Sequence, residues 1–263
     1  MGSESLVVDL LGMQVKILCL NLWQGGNLLD EILAFLQEEK PDILLLQEVY
    51  NGHTTSWNRK FCSMDILREA LSYPFESFAP AFLERTEFGK VDQGNAILSR
   101  FPILDTQIFF YDKPYAERED TREYFEITPR NLQRAKIDIN GRTIQVFNTQ
   151  GVWGEDGNDN PRRLKMAQTI VEATAPYKGV VLAGDFNVQE NTKSVEQIET
   201  HLVNVFANDP RITSFNMKHK TNPGFATAVV DLMFVSPDLH VKQAQQYDAD
   251  VSDHLALSMM IEL

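Results

Sequence analysis

Val180-Val181-Leu182-Ala183-Gly184-Asp185-Phe186-Asn187-Val188 is an apolar run of strand length that ends in a glycine and then presents a carboxylate and a carboxamide two residues apart. On an extended backbone, residues i and i+2 face the same side, so Asp185 and Asn187 point together. The same letters also spell a plain strand followed by an Asx turn, because Gly-Asp and Asp-x-Asn are common turn chemistry. The stretch becomes a site only if other strands deliver matching polar groups at their ends.

They do. Upstream, Gln14 to Leu20 alternates as a strand that delivers Asn21, and Trp23-Gln24-Gly25-Gly26 breaks it. Leu28, Leu29, Ile32, Leu33, Phe35 and Leu36 recur at helical spacing up to Glu39, with Asn27 placed to cap and Pro41 to stop. Ile43-Leu44-Leu45-Leu46 then reads as a strand covered on both faces that terminates in Gln47-Glu48. A helix is expected over Ser63–Leu71, and strands over Phe75–Phe82, Gly94–Ser99 and Ile103–Tyr111. Lys113 to Thr128, with Arg118 and Arg122, reads as a long surface loop.

Asn140-Gly141 between two β-rich runs is a hairpin signal, and its second strand ends at Thr149-Gln150-Gly151. Asn160-Pro161 opens a helix whose core stripe is expected to be Leu164, Ala167, Ile170, Val171 and Ala175, leaving Arg162 and Arg163 solvated. Ser194–His201 reads as a further helix and Val241–Gln246 as a strand with a polar face. Val229–Val235 is a strand with Asp231 near its start, and Leu255–Leu263 is one introduced by Ser252-Asp253-His254. Strands and helices alternate without an internal repeat, so residues 13–263 read as one α/β domain behind a short extension of residues 1–12.

With 263 residues, 43% of them hydrophobic, the chain has enough apolar material for a large core. A formal charge of −13 disfavours a broad footprint on duplex nucleic acid, whose affinity comes from Lys and Arg neutralising phosphates. Two cysteines, Cys19 and Cys62, give neither a disulfide framework nor zinc spacing. No apolar run is long enough for a membrane span and no signal-peptide pattern opens the chain. The expectation is a cytoplasmic, soluble monomer.

Gathered together, the strand-end groups are Asn21, Glu48, Asp185 with Asn187, Asp231, and Asp253 beside His254. A hard cation such as Mg²⁺ takes oxygen ligands and keeps waters, so one or two carboxylates with carboxamide support suit it better than they suit zinc. A carboxylate next to a histidine fixes the imidazole tautomer and favours its charged form.

In this order, Asn21, Gln47-Glu48, Gly94-Asn95-Ala96-Ile97-Leu98-Ser99, Gly184-Asp185-Phe186-Asn187, Asp231, Phe234-Val235-Ser236 and Ser252-Asp253-His254 resemble the motifs of the endonuclease/exonuclease/phosphatase superfamily, over nearly the whole chain from Met13. The resemblance implies a DNase I-like four-layer α/β sandwich, with two central mixed β-sheets flanked by helices. It also implies a Mg²⁺-dependent site, with Mn²⁺ as a substitute, that hydrolyses phosphate esters. Glu48 resembles the family's metal-binding glutamate, with Asn21 close by. Asp185 resembles the residue that aligns or deprotonates the attacking water, and Asn187 its partner. His254 resembles the histidine on the scissile phosphate, oriented by Asp231 or Asp253.

One position departs from the pattern. Gln150 stands where many members carry histidine, and a glutamine donates a hydrogen bond but carries no charge and shuttles no proton. Specialisation, loss of activity and a deliberate substitution are three open accounts of it. The leading expectation is a phosphodiesterase, nuclease or phosphatase. The acidic charge points to a small or single-stranded substrate, a nucleotide or a nucleic-acid end. Arg130-Asn131-Leu132 and the chain's tail resemble the tyrosyl-DNA phosphodiesterase branch, with Arg130 and Arg122 as candidate phosphate contacts. The alternative is an impaired member that acts as a binding or scaffold protein.

Overall fold

Alternate residues along the central strands serve two different cores. The computed structural model describes residues 12–54, 56–118, 127–208 and 211–263. Its elements are β1 (Gln14–Asn21), α1 (Leu29–Glu39), β2 (Ile43–Tyr50), α2 (Ser63–Leu71), β3 (Phe75–Thr86), β4 (Gly89–Ser99), β5 (Ile103–Phe110), β6 (Glu117–Arg118), β7 (Asn131–Ile139), β8 (Arg142–Gln150), α3 (Pro161–Thr174), β9 (Val180–Asp185), α4 (Lys193–Glu199), β10 (Val203–Asn204), β11 (Asp231–Val235), β12 (His240–Gln246) and β13 (Leu257–Glu262). They form a seven-stranded sheet, β12-β13-β1-β2-β4-β3-β6, and a six-stranded sheet, β10-β11-β9-β8-β7-β5. Both sheets are mixed: β1–β2, β3–β6 and β8–β9 pair parallel, and the other pairs are antiparallel.

Ile17, Cys19, Ile43 and Leu45 of the first sheet meet Val146, Val181, Ala183 and Met233 of the second in one shared core. The intervening residues Leu18, Leu20, Leu44 and Leu46 pack outward with Ile32 and Leu36 of α1 and Met64 and Leu67 of α2. Leu182 and Leu232 pack outward with Met166 and Ile170 of α3 and Val195 of α4. This period-two division of each strand gives the four layers, helices–sheet–sheet–helices.

Most elements lie where the sequence places them, including the hairpin at Asn140-Gly141, where both residues take the positive φ (52° and 92°) that a tight primed turn demands. Four local expectations are corrected. Asn27 does not cap α1: Leu28 holds the N-cap position without a side-chain hydrogen bond, and the Asn27 backbone N–H instead closes the preceding loop on Trp23 O at 3.2 Å. β2 does not stop at Gln47-Glu48 but runs to Tyr50 through a bulge.

The buried face of α3 is Arg163, Met166, Ala167, Ile170, Ala173 and Thr174, rotated from the expected stripe. Arg163, at 1% exposure, is therefore core: it donates to the carbonyls of Val152 and Asn158 and staples the loop before the helix. Finally, the charged stretch after Lys113 is not all surface loop. It returns as β6, pairs parallel with β3, and buries Arg118. Arg122 and most of the expected extension, residues 1–11, lie outside the described residues.

Candidate active site

Moving along the layer between the sheets, the inward-facing positions change from apolar to amide and then to charge. Gln47 Nε2 donates to Asn148 Oδ1 at 2.6 Å, and Asn148 Nδ2 donates to the carbonyls of Leu46 and Ala96, both at 3.0 Å. Asn95 Nδ2 donates to Asn131 Oδ1 at 2.9 Å. These buried amides tie the two sheets together just below the site, with their hydrogen bonds offsetting the cost of burial.

The next rung holds the reactive groups. β8, β9 and β11 are adjacent strands, and their register sets Gln150 opposite Asp185 and Asp185 opposite Asp231. Gly184 makes this approach possible. Its φ is +155°, and a Cβ there would lie 2.0 Å from the Thr149 carbonyl oxygen. Immediately after β9, Asn187 takes φ 53°, so its backbone N–H meets Asp185 Oδ1 at 3.0 Å while its Nδ2 donates to Gly151 O at 3.2 Å.

The first sheet brings Asn21, the last residue of β1, and Glu48. Glu48 sits in the β2 bulge with φ 58°, a left-handed conformation for a non-glycine residue, which re-aims its carboxylate toward the second sheet. There it accepts from Gln150 Nε2 at 2.8 Å, Asn21 Nδ2 at 3.3 Å and the Gln24 backbone N–H at 2.6 Å. Asn21 Nδ2 also reaches Asp185 Oδ2 at 3.2 Å. The side-chain amide nitrogen of Gln150 is thus directed at Glu48.

His254 Nδ1 donates to Asp231 Oδ2 at 2.8 Å, and the imidazole edge rests against Phe215 with ring centroids 4.7 Å apart. Asp253 does not orient this ring through a hydrogen bond; its carboxylate pairs with Lys220. Asp231 is itself fixed, because Ser214 Oγ accepts its backbone N–H at 2.7 Å and Arg211 donates to its carbonyl at 2.6 Å.

Burial alone would depress the His254 imidazole, but the Asp231 carboxylate, helped by Asp253 and Asp185, pushes it up to about 10, so it is charged at neutral pH. Burial pushes the Asp185 carboxyl up to about 6, with the His254 charge opposing the rise. Burial pulls the Arg130 guanidinium down to about 10, with Glu48 opposing, which leaves it charged at neutral pH.

These residues border one cavity of about 200 Å³, lined by Glu48, Gln150, Asp185, Asn187, Asp253 and His254, and also by Arg130, Trp153, Phe215 and Lys220. Trp153, Phe215 and Lys220 were not singled out from the sequence. They lie on irregular segments with no strand-end signal: Phe215 is placed by its backbone bridge and ring contact to His254, Lys220 by its pairing with Asp253, and Trp153 by lining the cavity.

Ligand atoms of Asp185, Asp231 and His254 lie within 4.8 Å of one another, a composition that could hold a metal ion. The His254–Asp231 hydrogen bond and the charge on the imidazole remove Nδ1 from that role. Glu48, on the cavity wall, with the buried Asn21 beside it offers oxygen atoms, the donor set a hard divalent ion takes.

A family model for the endonuclease/exonuclease/phosphatase family matches residues 18–254, and the chain belongs to that family. Its fold is the DNase I-like one. The endonuclease/exonuclease/phosphatase of Beutenbergia cavernae is similar at 18% identity and TM-score 0.75, covering 95% of this chain and 72% of that one. The mannosyl-6-phosphatase of Bacteroides thetaiotaomicron is similar at 19% identity and TM-score 0.66, covering 95% and 100%. D. rerio TDP2, solved with a single-strand DNA product, is similar at 14% identity and TM-score 0.68, covering 95% and 99%. No curated protein matches the chain by sequence. No helix among the described residues is long and apolar enough to cross a membrane.

Proposed function

We propose that this chain is a divalent-metal-dependent phosphoric ester hydrolase in which water attacks phosphorus in line with the leaving oxygen. The observation that carries the reading is the convergence of Asp185, Glu48 and His254 on one cavity from both sheets, with Asp231 bonded to His254 and Asn21 bonded to Glu48 and Asp185 behind them. Asp185 acts as the base that aligns and deprotonates water: its ionised form accepts from Asn187 and Asn21, which fix its two oxygens. Asn187 holds the loop after β9 and faces the phosphate. His254, protonated and oriented by Asp231, neutralises a non-bridging oxygen as charge develops.

Glu48 and Asn21 are the proposed holders of Mg²⁺, which Mn²⁺ would replace; when bound, the ion supplies charge neutralisation at the phosphate and leaving oxygens. Gln150 fixes the Glu48 carboxylate instead of supplying an acid. Arg130 is proposed as a phosphate contact. Asp253 positions Lys220 at the rim of the cavity. Residues 13–263 form the working unit.

The acidic surface favours a small ester, a nucleotide or a nucleic-acid end over a long duplex. The similar structures include a sugar-phosphate phosphatase and a protein bound to single-stranded DNA, and both substrate classes belong in the test panel. Hydrolysis of bis(p-nitrophenyl) phosphate with Mg²⁺, abolished by chelation and by Asp185→Asn, is the expected outcome. Metal binding without turnover, unchanged by Gln150→His, would instead favour a binding protein, the reading that Gln150's engagement with Glu48 suggests.

A further inference from the structure

A second cavity, of about 280 Å³, adjoins the site and shares Gln24, Glu48 and Arg130 with it. Two buried guanidiniums sit over one fully buried ring there: Arg118 lies 5.0 Å and Arg130 5.6 Å from the Phe82 centroid. Arg118 has the Glu84 carboxylate 3.9 Å away, and Glu84 also accepts the Tyr50 hydroxyl. Arg130 differs. It is 5% exposed, it has no carboxylate in ion-pair range among the described residues, and its Nε and Nη1 are buried without a hydrogen-bond partner.

A buried cation without a counter-ion is costly, and a like charge beside it adds to the cost. The fold nevertheless builds the pair, since β6 brings Glu117 and Arg118 alongside Leu83 and Glu84 of β3. Lys60 and Arg85 also line it, Arg85 being paired with Glu117. Of the three carboxylates there, Glu48 and Glu84 are engaged as described, and Glu87 is exposed. The guanidinium left without a carboxylate among the described residues is that of Arg130, although the whole chain carries −13.

We propose that this cavity receives a second anionic group of the substrate, a phosphate or carboxylate held beside the phosphate that is hydrolysed. The inference rests on the hydrolase reading and narrows its substrate to a compound with two neighbouring anionic groups. Gln24, Glu48 and Arg130 form the wall common to both cavities, so the two groups lie side by side across it.

The test compares thymidine 5′-(p-nitrophenyl phosphate) bearing a 3′-hydroxyl with the same compound bearing a 3′-phosphate, in Mg²⁺. Charge-assisted hydrogen bonds to the added group predict a roughly 10- to 100-fold higher kcat/KM for the 3′-phosphate compound, carried mainly by KM. The preference should collapse in Glu84→Gln/Arg118→Gln, a double variant that removes both members of the Arg118–Glu84 pair, and be largely kept by Arg118→Lys. Equal kcat/KM for the two compounds, or a preference that survives in the double variant, overturns the inference. So does stimulation of the 3′-hydroxyl compound by millimolar inorganic phosphate, which would assign the cavity to a free anion.

If wild type hydrolyses neither compound, the hydrolase reading fails, and the cavity is read by binding alone. Inorganic pyrophosphate in EDTA should raise the Tm of wild type and not that of the double variant. No rise in wild type overturns the inference whatever the turnover.

Discussion

Asp185 is a carboxylate shut into a layer between two sheets, and its replacement by asparagine tests the proposed chemistry with little disturbance to the fold. Asp185→Asn should lower hydrolysis by about 100-fold or more, as expected for losing a positioned base, while circular dichroism stays unchanged. Undiminished turnover in the folded variant would remove Asp185 from its role. The base must be ionised, so kcat/KM should rise with pH through about 6 and fall again as His254 loses its proton near 10. For stability the signs are separate. The His254 value is raised from 6.5 to about 10, so its contribution is fully present below 6.5 and is lost as pH climbs through 10. Urea unfolding across that window should show a steeper alkaline loss for wild type than for His254→Gln; parallel curves would contradict the assignment. Gln150→His, which exchanges a clamp on Glu48 for a group able to carry a proton, should raise turnover on the order of 100-fold if an acid is what the site lacks. Equal rates would exclude that account of Gln150.

Element by element, the site depends on how closely strands approach. Gly184→Ala would drive a Cβ into the Thr149 carbonyl between β8 and β9, at a position with positive φ, and should cost about 3 kcal/mol or more. Denaturant titration should show a lower midpoint, and metal-dependent activity should fall with it because Gln150 and Asp185 share that rung. A wild-type midpoint would mean that the strands separate freely there. The same strands explain what was readable. The apolar run before Gly184, the buried run before Gln47 and the hairpin at Asn140-Gly141 are encoded by neighbours in sequence, through period-two burial and turn chemistry. The bulge at Glu48 is not, since nothing local distinguishes it from a strand end, and only pairing with β4 reveals the extra residue. Nor is the rotation of α3, whose first turn is set by the loop that Arg163 holds.

For the whole molecule, an ion held by the native state alone stabilises it by linkage, about 2.7 kcal/mol at a concentration 100 times its Kd. Mg²⁺ or Mn²⁺ should therefore raise Tm over EDTA in wild type and much less in Glu48→Gln, a result read without any turnover; an equal rise in both would place the ion elsewhere. What the sequence determined by itself was the alternation of strands and helices, the family, and the types of side chain gathered at strand ends, because periodicity, turns and ordered motifs are properties of short stretches. The tertiary structure decided which partner each side chain has. Asp231 and not Asp253 holds His254, Gln150 holds Glu48, and Arg118 and Arg163 are buried although their surroundings in sequence are charged. Those choices follow from strand register and from sheet packing that brings Asn21 to Asp185 across 164 positions. Contacts of that range are fixed by the shape of the whole core and leave no mark in the residues beside them.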